Sequence, residues 1–172
     1  MNRIDEHIQV LKLEAAVTRK FLALVPFNKH DFKPNEKSES LGRLAVHVAE
    51  IIAWWTTCIE KSELDFIDFE PKEISTTNDL LAYFDELLEM ALVSLKSIKP
   101  EALEQNWTMR HGETIYFTLP KNQVLQIFCL HHLVHHRAQL GVYLRMLDID
   151  LPATYGPSAD DENVLLIERY NI

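Results

Sequence analysis

The sequence predicts an all-α fold, a four-helix bundle. Two observations carry this: four long segments place apolar residues at helical spacing, and little of the chain reads as strand. With 172 residues and 47 % hydrophobic content, the chain has the length of one domain and enough apolar side chains for a continuous core. A single domain over 1–172 is therefore expected, with no internal repeat and no low-complexity tract.

The first segment, Arg3 to Val25, sets Ile4, Ile8, Leu11, Ala15, Val17, Phe21, Leu22 and Leu24 near one face, and Pro26 stops it. A polar, Lys-rich stretch follows, and Ser38 or Ser40 can cap a second helix that reaches to about Lys61. Its apolar row is Leu44, His47, Ile51, Trp54 and Cys58. The connection "SELDFIDFEPKEIS" is too acidic and Pro-interrupted for a helix, and it is long for a link between bundle helices. It should cross the end of the bundle between helices 2 and 3. Thr76 and Asp79 have capping-box spacing, with Asp in place of the usual Glu, and open a third helix that runs toward Pro100. The aromatic and Thr-rich stretch around His111-Gly112-Glu113 suggests a short hairpin-like segment before helix 4. The fourth helix opens at Pro120, suited to the first helical position, and runs to about Leu147, with Gln126, Arg137, Gly141, Arg145 and Asp148 marking its polar side. In the tail, "YGPSADD" carries turn chemistry and a short helix is expected from Asp161 to Tyr170.

Seventeen basic residues against 26 acidic ones leave a net charge of -9. This balance repels polyphosphate backbones and anionic lipid surfaces, and no run of Lys or Arg offsets it locally. The N-terminal stretch has charges every few residues and lacks the apolar core of a signal peptide or a membrane span. A soluble, cytoplasmic protein is expected, with neither nucleic acid nor membrane among its partners. Cys58 and Cys129 both lie within helical patterns, far from any CxxC spacing, and read as reduced, buried thiols.

The sharpest feature is "CLHHLVHHRAQL", which puts four of the eight histidines within six positions of an otherwise apolar helix. Residues four apart share a helix face, so two pairs can each bind one ion: His131 with His135, or His132 with His136. Periodicity favours the second pair, on the row Leu125, Phe128, His132, His136, Gln139, Tyr143, but the apolar band is wide enough to leave both open. A third ligand must come from another helix. His47 suits best because it interrupts the inward row of helix 2, whereas His7 lies beside acidic residues and His30 and His111 lie in polar loops.

A lone His on an apolar face is ordinarily a satisfied core group. An i, i+4 pair with a third inward His on another helix points instead to a metal, since one cation satisfies three neutral imidazoles together. Nitrogen donors suit zinc, nickel, iron or copper better than magnesium or calcium. Three ligands also leave a position for water or substrate. Glu50 and Gln139 are placed to orient a ligand or that water. Trp54 and Trp55 can line a pocket beside His47, although packing between helices is the commoner fate of such residues. The sequence contains no HExxH, and no Glu stands three residues before a His, so zincin and di-iron carboxylate arrangements are excluded.

Taken together, "LAVHVAEIIAWW", "HHLVHHRAQL" and "YGPSADD" resemble the DinB-like proteins, grouped with the YfiT-like metalloenzymes, over essentially the whole chain. The resemblance implies a four-helix bundle, commonly a homodimer, carrying a divalent metal on three histidines. Matched to the family's HxxxHxxQ helix and its upstream His, the ligands are His47, His132 and His136, with His131 and His135 left as packing or interface residues. Ala138 stands where the family often has Gly. Some relatives transfer low-molecular-weight thiols or carry out thiol-dependent isomerisation. The functional expectation is thus a metalloenzyme, with zinc or nickel favoured and iron a third choice, that activates a thiol cosubstrate or water against a small-molecule substrate, as a thiol S-transferase or hydrolase. The alternative is a non-catalytic, metal-stabilised stress-response or scaffold protein.

Overall fold

The computed structural model describes residues 2–160, so the short helix expected from 161 onward lies outside the described residues. Helix α1 (Arg3–Ala23) begins at Asn2, whose side chain accepts the Asp5 amide proton at 2.9 Å. Helix α2 (Leu41–Glu50) starts at Ser40, which caps the Arg43 amide at 3.3 Å. The single second helix expected to reach Lys61 is interrupted, because α3 (Ala53–Glu60) begins only after Ile51 and Ile52. There the amides of Ile52, Trp54 and Trp55 bond to carbonyls three residues back, a tightened turn that leaves both isoleucines fully buried.

Helix α4 (Thr77–Ser97) carries the predicted cap in altered form. The Thr76 hydroxyl accepts the Asp79 amide proton at 3.1 Å and donates to the Asp79 carboxylate at 2.6 Å. Aspartate is one methylene shorter than the usual glutamate, so its carboxylate meets the hydroxyl instead of the cap's own amide. The last rod is continuous from α5 (Lys121–Gln123) through a π-helical stretch, Val124–His131, into α6 (His132–Met146).

The expectation of an all-α chain is overturned by a three-stranded mixed sheet of β1 (Glu63–Asp65), β2 (Asn106–His111) and β3 (Thr114–Pro120). The hairpin β2–β3 turns at Gly112, whose φ of 55° favours glycine. The third strand comes from the long connection after α3, which pairs parallel to β2 in the register Leu64 with Met109. The physical reason is edge satisfaction: a lone hairpin would leave one side of β2 unpaired, and β1 supplies partners through Thr108 N to Ser62 O and Phe66 N to Arg110 O, both 3.0 Å. The Asp65 carboxylate fastens the corner by accepting the Gly112 and Ile67 amides, each at 3.0 Å. A three-residue strand is too short to show alternation, which is why periodicity reads this segment only as a loop.

The four helical rods enclose a core of Leu11, Leu22, Leu41, Trp55, Phe84 and Leu95, among others. The sheet closes one end, where the buried Trp107 and the half-buried Phe117 approach Phe128 of the π-helical stretch. Cys58 and Cys129 are free and buried, and burial pushes the Cys58 thiol up to about 12, so neither is a ready nucleophile. No described helix is long and apolar enough to cross a membrane.

Two substitutions test this description in denaturant unfolding. Thr76→Ala removes both cap bonds and should cost about 1 kcal/mol. Thr56→Val deletes a buried hydroxyl that has no hydrogen-bond partner among the described residues and should leave stability unchanged or raise it; a loss as large as that of Thr76→Ala would contradict the local structure.

Candidate metal centre

Helices α2 and α6 bring His47, His132 and His136 together, each offering one ligand atom, all within 4.8 Å of one another. His47 comes from the last turn of α2, and the other two from the first turns of α6. Nε2 of His47 lies 3.4 Å from Nε2 of His132. Two nitrogens bound to one tetrahedral ion at ~2.0–2.1 Å stand about 3.4 Å apart. The pair therefore already has the spacing that a shared ion demands, with the His136 ring centroid 4.6 Å from that of His47 and 4.5 Å from that of His132.

The protonation states suit ligation. Burial pushes His47 down to about 3, helped by the neighbouring rings of His136 and His132 and by Arg43. Burial followed by the His136 and His135 rings lowers His132 to about 4. His136 is also lowered, mainly by burial and in part offset by its hydrogen bond to Gln139. At neutral pH all three rings are uncharged, each with a lone pair to give. The Gln139 amide oxygen accepts from Nδ1 of His136 at 2.7 Å, which places the proton on Nδ1 and leaves Nε2 free as the donor atom. The donor set therefore fits a divalent transition metal.

Glu50 is arranged differently from Gln139. Its buried carboxylate stands 3.9 Å from Nδ1 of His47, beyond a hydrogen bond, and instead accepts from Arg43 Nη1 at 2.8 Å and the Lys72 amide at 2.9 Å. It is a fixed negative charge beside His47 that also pins the connection between α3 and α4. On the far side of the triad, Trp54 stacks on Phe128 at 4.5 Å and presents its ring edge-on to His132 at 4.9 Å and to His47 at 5.7 Å. On the near side a cavity of about 450 Å³ opens, with His47, His136, Gln139, Arg43 and Tyr143 in its wall.

The remaining histidines lie outside the ligand set, although the His135 ring centroid stands 4.9 Å from that of His136. His131 and His135 are exposed, His7 bonds Asn122 at 2.9 Å, His30 bonds the Phe27 carbonyl at 2.8 Å, and His111 sits at the hairpin. Sequence reasoning missed Arg137, which it placed on the solvent side of helix 4. The residue is only 2 % exposed because that side of α6 faces α1, where Arg137 pairs with Glu14 at 2.7 Å and bonds the Tyr155 hydroxyl at 2.7 Å. The Tyr155 hydroxyl in turn donates to Glu14 at 2.8 Å, so the "YGPSADD" segment is tied to α1 and α6 together. Close approach of these helices falls at Gly141, where a Cβ would lie 3.1 Å from the Phe21 ring, whereas Ala138 is exposed. The π-helical stretch before His132 was also missed, since a wider turn leaves no mark in an apolar run.

Comparison with known proteins agrees with this fold. The chain is 25 % identical over 163 residues to the uncharacterized protein YrdA of Bacillus subtilis, covering 92 % of this chain and 91 % of that one. The crystal structure of a DinB-like protein, YjoA, from Bacillus subtilis superposes with a TM-score of 0.67 at 19 % identity, over 87 % of this chain and 96 % of that one. A DinB-like protein from Bacillus cereus ATCC 10987 gives a TM-score of 0.66 at 18 % identity, over 90 % of this chain and 100 % of the other. The DinB family model matches residues 1–169, and the chain belongs to the DinB family.

Proposed function

We propose that this chain is a metalloenzyme in which His47, His132 and His136 hold a divalent ion, zinc or nickel before iron, and a low-molecular-weight thiol or water is activated for attack on a small-molecule electrophile. The observation that carries this reading is that two of the three clustered imidazoles, His47 and His136, stand in the wall of an open cavity, and the cluster gathers no fourth protein ligand among the described residues. A purely structural ion is ordinarily enclosed by four. A divalent ion bound here supplies positive charge that lowers the pKa of a thiol or water beside it.

The chain's own residues do the rest. Gln139 fixes the His136 tautomer, the Trp54–Phe128 stack excludes water from the closed side, and Glu50 holds Arg43 at the cavity wall. Thiol transfer and hydrolysis differ only in which nucleophile occupies the cavity.

Metal analysis gives the first test. His47→Ala and His132→Ala should each lose most of the bound ion with the helical circular dichroism intact, and unchanged stoichiometry in both would remove the site. Gln139→Ala should weaken metal affinity by about tenfold. Chelation should abolish thiol-dependent turnover without unfolding the protein; unfolding with no turnover by the loaded form would favour a scaffold role instead.

The metal-free protein should also show a defined pH dependence. His47 and His132 titrate at about 3 and about 4 when folded, against 6.5 for a free imidazole. As the pH falls below 6.5 the unfolded chain takes up protons first, so stability present above that value is lost progressively toward about pH 4 for His132 and about pH 3 for His47. Denaturation midpoints measured between pH 7 and 5 should fall with acid and should fall less in His47→Ala; identical slopes would argue against buried neutral rings.

A further inference from the structure

We infer that His131 and His135 are half of a second metal site, completed by the same two residues of another copy of this chain. This site is separate from the triad and does not depend on it. Both side chains are exposed, and neither has a hydrogen-bond partner among the described residues, whereas His7 and His30 are each bonded. The His135 ring rests edge-on against that of His136, 4.9 Å away. Residues four apart on a helix stand about 5–6 Å apart at Cβ, so the two imidazoles can meet one ion from the solvent side. Two nitrogens leave that ion half coordinated, since a structural zinc takes four protein donors. No third His, Cys, Asp or Glu of the same chain gathers with the pair among the described residues.

The surface around the pair points to the source of the other two donors. At about 100° per residue, His131, His135, Ala138, Val142 and Met146 fall within one arc of about 80°, turned away from the buried Leu133, Leu140 and Leu144. Val142 is 59 % exposed, Met146 53 %, and Ile127, one turn before His131, 53 %. A row of apolar side chains at helical spacing is ordinarily buried against another element, and no described element covers this one. Arg145, the charged residue that flanks the row, is tied to the Asp160 carboxylate, so covering the row strips no unpaired charge of water. Ala138, small and near the middle, lets two such helices approach closely. Beside it, Val142 and Met146 wall an open cavity of about 510 Å³ with room for side chains of a docked helix. Two-fold symmetry sets like surfaces against each other. A second copy seated on this row brings the partner's His131 and the partner's His135 beside this chain's own, and four imidazole nitrogens then enclose a single ion. Each chain carries a net charge of -9, and a divalent cation in the seam offsets part of the repulsion between the two copies.

Metal-free, full-length protein titrated with zinc tests this, with bound zinc and association followed together by elemental analysis and sedimentation equilibrium. Wild type should take up about 1.5 ions per chain, one on each triad and one shared between two copies. Its dimer dissociation constant should fall by about tenfold or more when zinc is added. The double variant His131→Ala with His135→Ala should hold about one ion per chain and lose the effect of zinc on association, with unchanged helical circular dichroism because both positions are exposed. His47→Ala should keep about half an ion per chain together with the zinc-dependent association. Association that ignores zinc, zinc held by the pair without tightening the dimer, or equal stoichiometry in the double variant and the wild type would each overturn the shared site. An empty triad would leave the half ion per chain and its effect on mass in place, so the two readings fail separately.

Discussion

Three uncharged imidazoles share one half-buried corner where α2 meets the start of α6, and much of the structure can be understood as holding them there. Each ring brings a lone pair into a space from which water is partly excluded. Protonating one ring penalises its neighbours, so the corner stays neutral and its polar atoms need fixed partners. Gln139 fixes one ring through its far nitrogen, and the ring edges of Trp54 steady the other two. The tightened turn at Ile51 and Ile52 stands between His47 and Trp54, and the π-helical stretch stands just before His132. Both irregularities lie next to residues of the triad, where departures from regular helix are often found.

The sheet belongs to the same arrangement. Its strand β1 opens the long connection that runs on to Lys72, whose amide is held by Glu50, a single helical turn from His47. The connection is thus secured at one end by Asp65 on the hairpin and farther along by a buried carboxylate. It works as a brace across the end of the bundle and lends Phe66 to the aromatic group around Trp54.

Much of this was legible in the sequence because it rests on local spacing. The caps at Ser40 and Thr76, the turn at Gly112, the start of the last rod after Pro120 and the i, i+4 relation of His132 to His136 all follow from residue type and interval. What was not legible depends on partners distant in the chain. Strand β1 exists only because β2, more than forty residues away, offers an open edge. The burial of Arg137 depends on α1, which supplies Glu14 and Thr18 to a helix face that period alone assigns to solvent. Glu50 was found beside His47 as spacing suggests, yet its oxygens are claimed by Arg43, two turns back on the same helix, and by the Lys72 amide of the long connection, a partner that lies outside the helix.

Arg137 follows His136 directly, so the two side chains leave α6 about 100° apart, one toward the histidine corner and one toward α1. The buried ion pair with Glu14, bridged by the Tyr155 hydroxyl, therefore acts as an angular stop. Any roll of α6 about its own axis would swing His132 and His136 out of aim, and the same roll would pull a desolvated charge from its partner. The aim of the nitrogen donors is thereby set from the opposite flank of the helix, by residues that never face the cavity.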